Sequence, residues 1–134
     1  MKIINYTSYS LSDKLETLAD ILKIPQGTTL YVKQTPAVIT QGETSFLGIV
    51  QPLDYYPNGY ELYLSPGLST SEINSVLSHE CVHLAQYATG RLRIDGTAAT
   101  FDGKSYDYVG YDPFSPWESE AFKMQGKLLK LIKK

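Results

Sequence analysis

The chain has 134 residues, of which 43% are hydrophobic and 19% charged, a composition typical of one folded domain with a single core. The formal charge is −2, so the sequence lacks the basic field that non-specific nucleic-acid binding requires. No stretch approaches the roughly 18 consecutive apolar residues of a membrane span, and the N-terminus has no apolar signal-peptide core. The single cysteine, Cys81, excludes an internal disulfide framework. These features predict a cytoplasmic protein with neither a nucleic-acid nor a membrane partner.

The first half of the chain predicts one helix followed by short strands. Residues 11–22 carry leucines at helical spacing, which predicts a helix with one apolar stripe, ended by Pro25 and Gly27. Four runs rich in β-branched and aromatic residues predict the strands Thr29–Val32, Val38–Thr40, Ser45–Val50 and Tyr60–Leu64.

The next segment predicts a capped helix from Ser69 to about Thr89. Glu72 stands three residues after Ser69, the spacing of a capping box, and Gly90 suits the position after the helix end. One face of this helix forms an apolar stripe that is expected to pack on the core: Ile73, Leu77, Cys81, Leu84 and Ala88. A second face is expected to line a site: Val76, His79, His83 and Gln86.

The last part of the chain predicts a hairpin and a third helix. Strands Ala98–Phe101 and Ser105–Val109 flank the turn signal Asp102-Gly103, and a helical pattern runs from Glu118 to Lys133. The order of helix, strands, helix, hairpin and helix predicts an α+β fold in one domain spanning residues 1–134.

The segment His79-Glu80-Cys81-Val82-His83 matches the HExxH pattern inside the predicted second helix. Residues four apart share one helix face, so both imidazoles are expected to bind one metal ion. Imidazole and carboxylate ligands in tetrahedral geometry suit Zn²⁺, which is the predicted cofactor. Glu80 projects about 100° away and is the predicted general base, taking a proton from a water that the metal activates. Cys81 lies in the apolar stripe and is predicted to be a small buried hydrophobe.

The third protein ligand must be a carboxylate, because both histidines of the chain already lie in the motif. The downstream candidates are Asp95, Asp102, Asp107, Asp112, Glu118 and Glu120. Asp102 and Asp112 are better explained by a turn and a loop. The start of the third helix therefore offers the leading candidates, Glu118 and Glu120.

The two helices together resemble the Glu-zincin (gluzincin) branch of the zincin metallopeptidases, in which a Glu on a second helix follows HExxH. Several of these families write that helix as E-x-x-A, which Glu118 and Ala121 match. Residues 60–122, with Pro-Trp-Glu-x-Glu-Ala after the hairpin, also resemble small metallopeptidase-like proteins of bacteria and their phages. The resemblance implies a minimal zincin-like domain and an origin in bacteria or their phages, and it favours Glu118 over Glu120 as the third ligand. The chain departs from the branch at Phe122, where an Asp often follows the Ala.

The resemblance also implies an activity, the hydrolysis of a peptide or protein substrate by metal-activated water. It places the strand Tyr60–Leu64 where zincins have the edge strand that pairs with an extended peptide. Three tyrosines lie between the two motif helices and are candidate donors to the oxyanion, with Tyr111 preferred to Tyr106 and Tyr108. The alternative function is a structural or assembly protein that keeps a vestigial zincin site.

Overall fold

A computed structural model describes residues 1–35, 39–41 and 44–132, with the side chains of residues 39–41 and 44–46 left aside. The described residues form these elements in chain order: β1 Lys2–Asn5, α1 Ser12–Leu22, β2 Thr29–Gln34, β3 Ile39–Gln41, β4 Thr44–Phe46, β5 Gly48–Pro52, β6 Gly59–Leu64, α2 Thr70–Ala88, β7 Leu92–Asp95, β8 Ala98–Phe101, β9 Lys104–Asp107 and α3 Pro116–Ile132. The α+β class is confirmed. None of the described helices is long and apolar enough to cross a membrane.

The main sheet has four strands in the order β1-β2-β6-β5. Strands β1, β2 and β6 run parallel, whereas β5 runs antiparallel to β6. The expectation that Tyr60–Leu64 is an edge strand is therefore wrong, because β6 lies between two neighbours. Five of its six residues are buried, as befits an inner strand. The edge beside α2 belongs to β5.

The other strands form a two-stranded ribbon, β3-β4, and a three-stranded antiparallel sheet, β7-β8-β9. The predicted run Ser45–Val50 is interrupted at Leu47, where β4 has ended and β5 has not begun. The predicted hairpin is confirmed in β8 and β9, while β1 and β7 were not predicted. Val38 and Lys133, which end two predicted elements, lie outside the described residues.

Helix α2 packs its apolar stripe against the main sheet and α1. Leu77, Cys81 and Leu84 are almost completely buried in one core. The Ser69 hydroxyl accepts from the Glu72 N–H at 3.1 Å and the Glu72 carboxylate accepts from the Ser69 N–H at 3.0 Å, so the capping box is confirmed. These contacts fix the rotation of α2 and point its second face away from the core.

Helix α3 packs along α2. Ala121 is fully buried, and a side chain this small lets the two helices approach closely. Trp117, one turn earlier, anchors a second cluster with the three-stranded sheet. The start of α3 is thereby held against the middle of α2.

Candidate metal centre

Two histidines of α2 and one glutamate of α3 converge on a single point. Nε2 of His79 lies 3.0 Å from Oε1 of Glu118, and Nε2 of His83 lies 3.1 Å from the same oxygen. All three potential ligand atoms lie within 4.8 Å of one another. Tetrahedral ligands about 2.1 Å from a zinc ion would be roughly 3.4 Å apart, so the spacing fits such a site. His79, His83 and Glu118 form a group that could hold a metal ion.

The outer nitrogens of both imidazoles contact glutamine amides. Nδ1 of His79 lies 2.9 Å from Oε1 of Gln125, and Nδ1 of His83 lies 2.8 Å from Oε1 of Gln86. An amide oxygen only accepts hydrogen bonds, so each of these contacts is a hydrogen bond in the tautomer that carries its proton on Nδ1. In a neutral imidazole with its proton on Nδ1, Nε2 is free to bind a metal ion, whereas in a protonated imidazole Nε2 also carries a proton and donates it to Glu118.

Phe122, which follows Ala121 in α3, packs on the first histidine. Its ring centroid is 4.6 Å from that of His79, with the two planes inclined by 56°. The ring restricts the rotation of the imidazole by contact. The hydrogen-bond partner of that imidazole comes instead from Gln125, about two turns further along α3 than Glu118.

The carboxylate of Glu120 turns away from the histidines. It accepts hydrogen bonds from the Gln86 amide at 3.0 Å and from two Arg91 nitrogens at 2.9 Å and 2.7 Å. Arg91 also holds Asp102, as 2.7 Å and 3.0 Å contacts join the two side chains. Among the described residues, neither Glu120 nor the four candidate Asp residues joins the ligand group.

Charge within the site is concentrated on Glu118. Burial raises the pKa of its carboxyl group, but hydrogen bonds from the two histidines outweigh this effect and lower the pKa to about 2. Burial also lowers the pKa of His83, but the hydrogen bond to Glu118 and the nearby carboxylates give a net rise. The Glu118 carboxylate and the protonated form of His83 thus attract each other.

Glu80 lies beside this group and is held by the edge of the sheet. Its Oε1 accepts a hydrogen bond from the backbone N–H of Val50, in β5, at 3.1 Å. Burial raises the pKa of Glu80 above its ordinary value, partly offset by His83 and His79. A carboxyl group whose pKa is raised is a stronger base than an ordinary glutamate and is better suited to take a proton from water.

A cavity of about 320 Å³ opens over these residues. Its wall combines the polar groups of the two helices with apolar and aromatic side chains: Leu47, Ile49, Val50, Val76, Tyr87, Leu92, Ile94, Tyr108, Tyr111, Trp117 and Phe122. Of the three candidate tyrosines, Tyr108 and Tyr111 line the cavity, whereas Tyr106 packs on Trp117 with ring centroids 5.7 Å apart. Cys81 is buried outside this wall, and burial raises the pKa of its thiol to about 12.

Sequence reasoning did not find several residues of the site. Gln86 is predicted to lie on the site-lining face but without a role, and Gln125 is not among the predicted site residues. The spacing of seven residues between Glu118 and Gln125, two helical turns, is the signal that would have placed them on one face. Tyr87 and Arg91 carry no local signal, because their roles depend on the packing of β7 and β8 against α3.

Comparison with protein-family models, with curated proteins and with solved structures yields no match. The site is therefore interpreted from its own geometry and chemistry.

Proposed function

We propose that this protein is a zinc-dependent metallopeptidase with a minimal zincin-like fold, in which His79, His83 and Glu118 hold the metal. The observation that carries the proposal is the approach of both Nε2 atoms to within 3.1 Å of one Glu118 oxygen. Two imidazoles and one carboxylate are the donor set of many catalytic zinc sites, which keep a position open for water. A zinc ion bound there would activate water and polarise the carbonyl group of a substrate.

Glu80 is the proposed general base. It lines the same cavity as the three ligand residues, and the Val50 N–H holds its carboxylate in place. A purely structural metal site would not need a carboxyl group with a raised pKa next to an open cavity. Glu80 would take the proton of the attacking water and pass it to the leaving amine.

The position of strand β5 at the edge of the sheet favours a peptide as the substrate. The Leu47 C=O accepts from the N–H of Ser65, just after β6, and the Leu53 N–H donates to the C=O of Gly59 in β6. The alternating pattern therefore turns the main-chain groups of Gly48 and Val50 outward, where the Val50 N–H bonds to Glu80. Gly48 and Val50 line the cavity wall. An extended peptide that adds to this edge would bring its main chain alongside the proposed metal centre.

Tyr111 remains the proposed donor to the oxyanion. Its side chain lines the cavity, and burial together with Glu118 and Glu80 raises the pKa of its hydroxyl group. A hydroxyl group that stays protonated can donate a hydrogen bond to a developing negative charge.

The test combines metal content with cleavage. Purified protein reconstituted with zinc is measured by elemental analysis and then incubated with a peptide library whose products are identified by mass spectrometry. We expect about one zinc per chain and cleavage in the wild type. Glu80→Gln should keep the zinc but lose cleavage, because an amide cannot act as the base. His83→Ala should lose the zinc and cleavage.

Two outcomes would contradict the proposal in different ways. No zinc in the reconstituted wild type would remove the metal centre. Zinc without cleavage in both wild type and Glu80→Gln would favour the structural or assembly protein with a vestigial site.

A further inference from the structure

Gln86 is completely buried between the second histidine and α3, and all of its hydrogen-bonding capacity faces protein. Its amide oxygen accepts from Nδ1 of His83 at 2.8 Å. Its amide nitrogen donates to the backbone oxygen of Trp117 at 3.1 Å and to Oε1 of Glu120 at 3.0 Å. One neutral side chain thus connects the histidine with two fixed acceptors.

These two acceptors decide which way the amide points. Rotating the amide of Gln86 by 180° would set its oxygen against the Trp117 carbonyl and the Glu120 carboxylate, which cannot donate. The same rotation would set an N–H group against Nδ1 of His83, so the imidazole proton would move to Nε2. An Nε2 that carries a proton cannot bind a metal ion.

Glu120 is in turn held by a bridge that starts in the neighbouring sheet. Arg91 precedes β7, and its guanidinium bonds to both oxygens of Glu120 and to Asp102, in the turn between β8 and β9. Bidentate pairs of this kind fix geometry as well as charge. The chain of contacts runs from Asp102 through Arg91, Glu120 and Gln86 to the histidine.

We propose that Gln86 is a positioning residue, oriented by Glu120 and the Trp117 carbonyl, that fixes the proton of His83 on Nδ1 and leaves Nε2 for the metal. The inference deepens the proposed function and rests on it for the role of Nε2. Glu120, a candidate ligand by sequence, thereby acts through Gln86 and not on the metal.

Position 86 requires a side chain that both accepts from His83 and donates to Glu120, which a glutamine does and a carboxylate does not. If only an acceptor for His83 were needed, Gln86→Glu would serve well, because carboxylates are common partners of ligand histidines. The proposal predicts the opposite, because this variant sets a carboxylate against Glu120. Adding Glu120→Gln to Gln86→Glu supplies a donor again and should restore part of the loss. Gln86→Leu, which removes both functions, should be as harmful as Gln86→Glu.

The experiment measures directly which ring nitrogen of His83 carries the proton. Long-range ¹H–¹⁵N correlation spectra identify which ring nitrogen carries the proton, and with 2 histidines in the chain the spectrum is simple. In zinc-loaded wild type we expect a slowly exchanging proton on Nδ1 of His83 and none on Nε2. Gln86→Leu and Gln86→Glu should lose the slow exchange and weaken zinc binding about 10- to 100-fold in competition with a chelator. The double variant should recover several-fold.

Gln125→Leu is the matched control, since it should change the ring signals of His79 and leave those of His83. A bare Nδ1 on His83 in the wild type would overturn the inference even if every Gln86 variant failed to fold. So would wild-type zinc affinity in Gln86→Glu. Failure of the wild type to bind zinc would instead contradict the proposed function, while loss of the protected Nδ1 proton in the Gln86 variants would still support this inference.

Discussion

The backbone N–H of Val50 donates a hydrogen bond to Glu80 at 3.1 Å, which ties the proposed general base to the edge strand of the main sheet. The carboxylate and the strand that would bind substrate are therefore fixed relative to each other. A hydrogen bond to the ionised form also lowers the pKa of a carboxyl group, opposing the effect of burial on Glu80.

Replacing Val50 by Pro removes this donor. The N–H faces the outside of an edge strand, so proline leaves the pairing with β6 intact. We expect kcat/KM to fall about 10- to 100-fold, since hydrogen bonds to charged groups are worth about 1.5–3 kcal/mol. The acid limb of the pH–rate profile should move to higher pH, because the pKa of Glu80 rises when the bond is lost.

Val50→Ala is the control, because it also removes the valine side chain but keeps the backbone N–H that donates to Glu80. Equal values of kcat/KM in the two variants would show that Glu80 does not depend on the edge strand.

Glu118 and Glu120 are expected to differ sharply in metal content. Glu118→Ala removes the oxygen on which both histidines converge, so bound zinc should drop well below one per chain by elemental analysis. Glu120→Ala should keep close to one zinc per chain at saturating metal, because that carboxylate faces Gln86 and Arg91. Loss of zinc in Glu120→Ala alone would move the third ligand to Glu120.

The position of His79 and His83 on one face of α2 could be predicted from the sequence, because the helical period is a local property. A capping box and an apolar stripe fix the start and the rotation of α2, and residues four apart then share a face. Glu118 and Glu120 point about 200° apart on α3, so only one of them can face α2. The sequence alone does not say which one it is. The burial of Trp117 and Ala121, visible only in the fold, decides that Glu118 faces α2.

The order of the strands could not be predicted for a different reason. Strands β5 and β6 are both short and rich in β-branched or aromatic residues, and either pattern is compatible with an edge position. Which strand lies at the edge depends on the pairing of β6 with β2, a contact between residues about 30 positions apart. A single strand's pattern carries no information about such a neighbour.

The attraction between Glu118 and His83 should stabilise the metal-free protein most in mildly acidic solution. The pKa of Glu118 falls from 4.5 to about 2, so its contribution to stability is complete above pH 4.5 and is lost as the pH falls toward 2. The pKa of His83 is raised from 6.5, so its contribution is complete below pH 6.5 and is lost as the pH rises through the folded-state value. Both are present between pH 4.5 and 6.5.

Urea unfolding at a series of pH values, with a chelator present, measures this profile. Glu118→Gln keeps the shape of the side chain and removes its charge, so the difference in unfolding free energy from wild type should peak in the same window. A difference independent of pH would show that the attraction between Glu118 and His83 does not stabilise the metal-free site.

Gly48, in the edge strand, is expected to tolerate no side chain. A Cβ atom there would lie 2.5 Å from Cγ1 of Val76 and 3.1 Å from the Tyr63 carbonyl oxygen. We expect Gly48→Ala to lower the free energy of unfolding by about 1–3 kcal/mol, since strand or helix must shift. The shift would also move Val76 in the cavity wall and lower kcat/KM.

Gly27→Ala is the matched control, because its Cβ meets nothing within 4 Å and stability should be unchanged or slightly higher. Equal stability of the two alanine variants in urea unfolding would mean that β5 and α2 are not closely packed at this point.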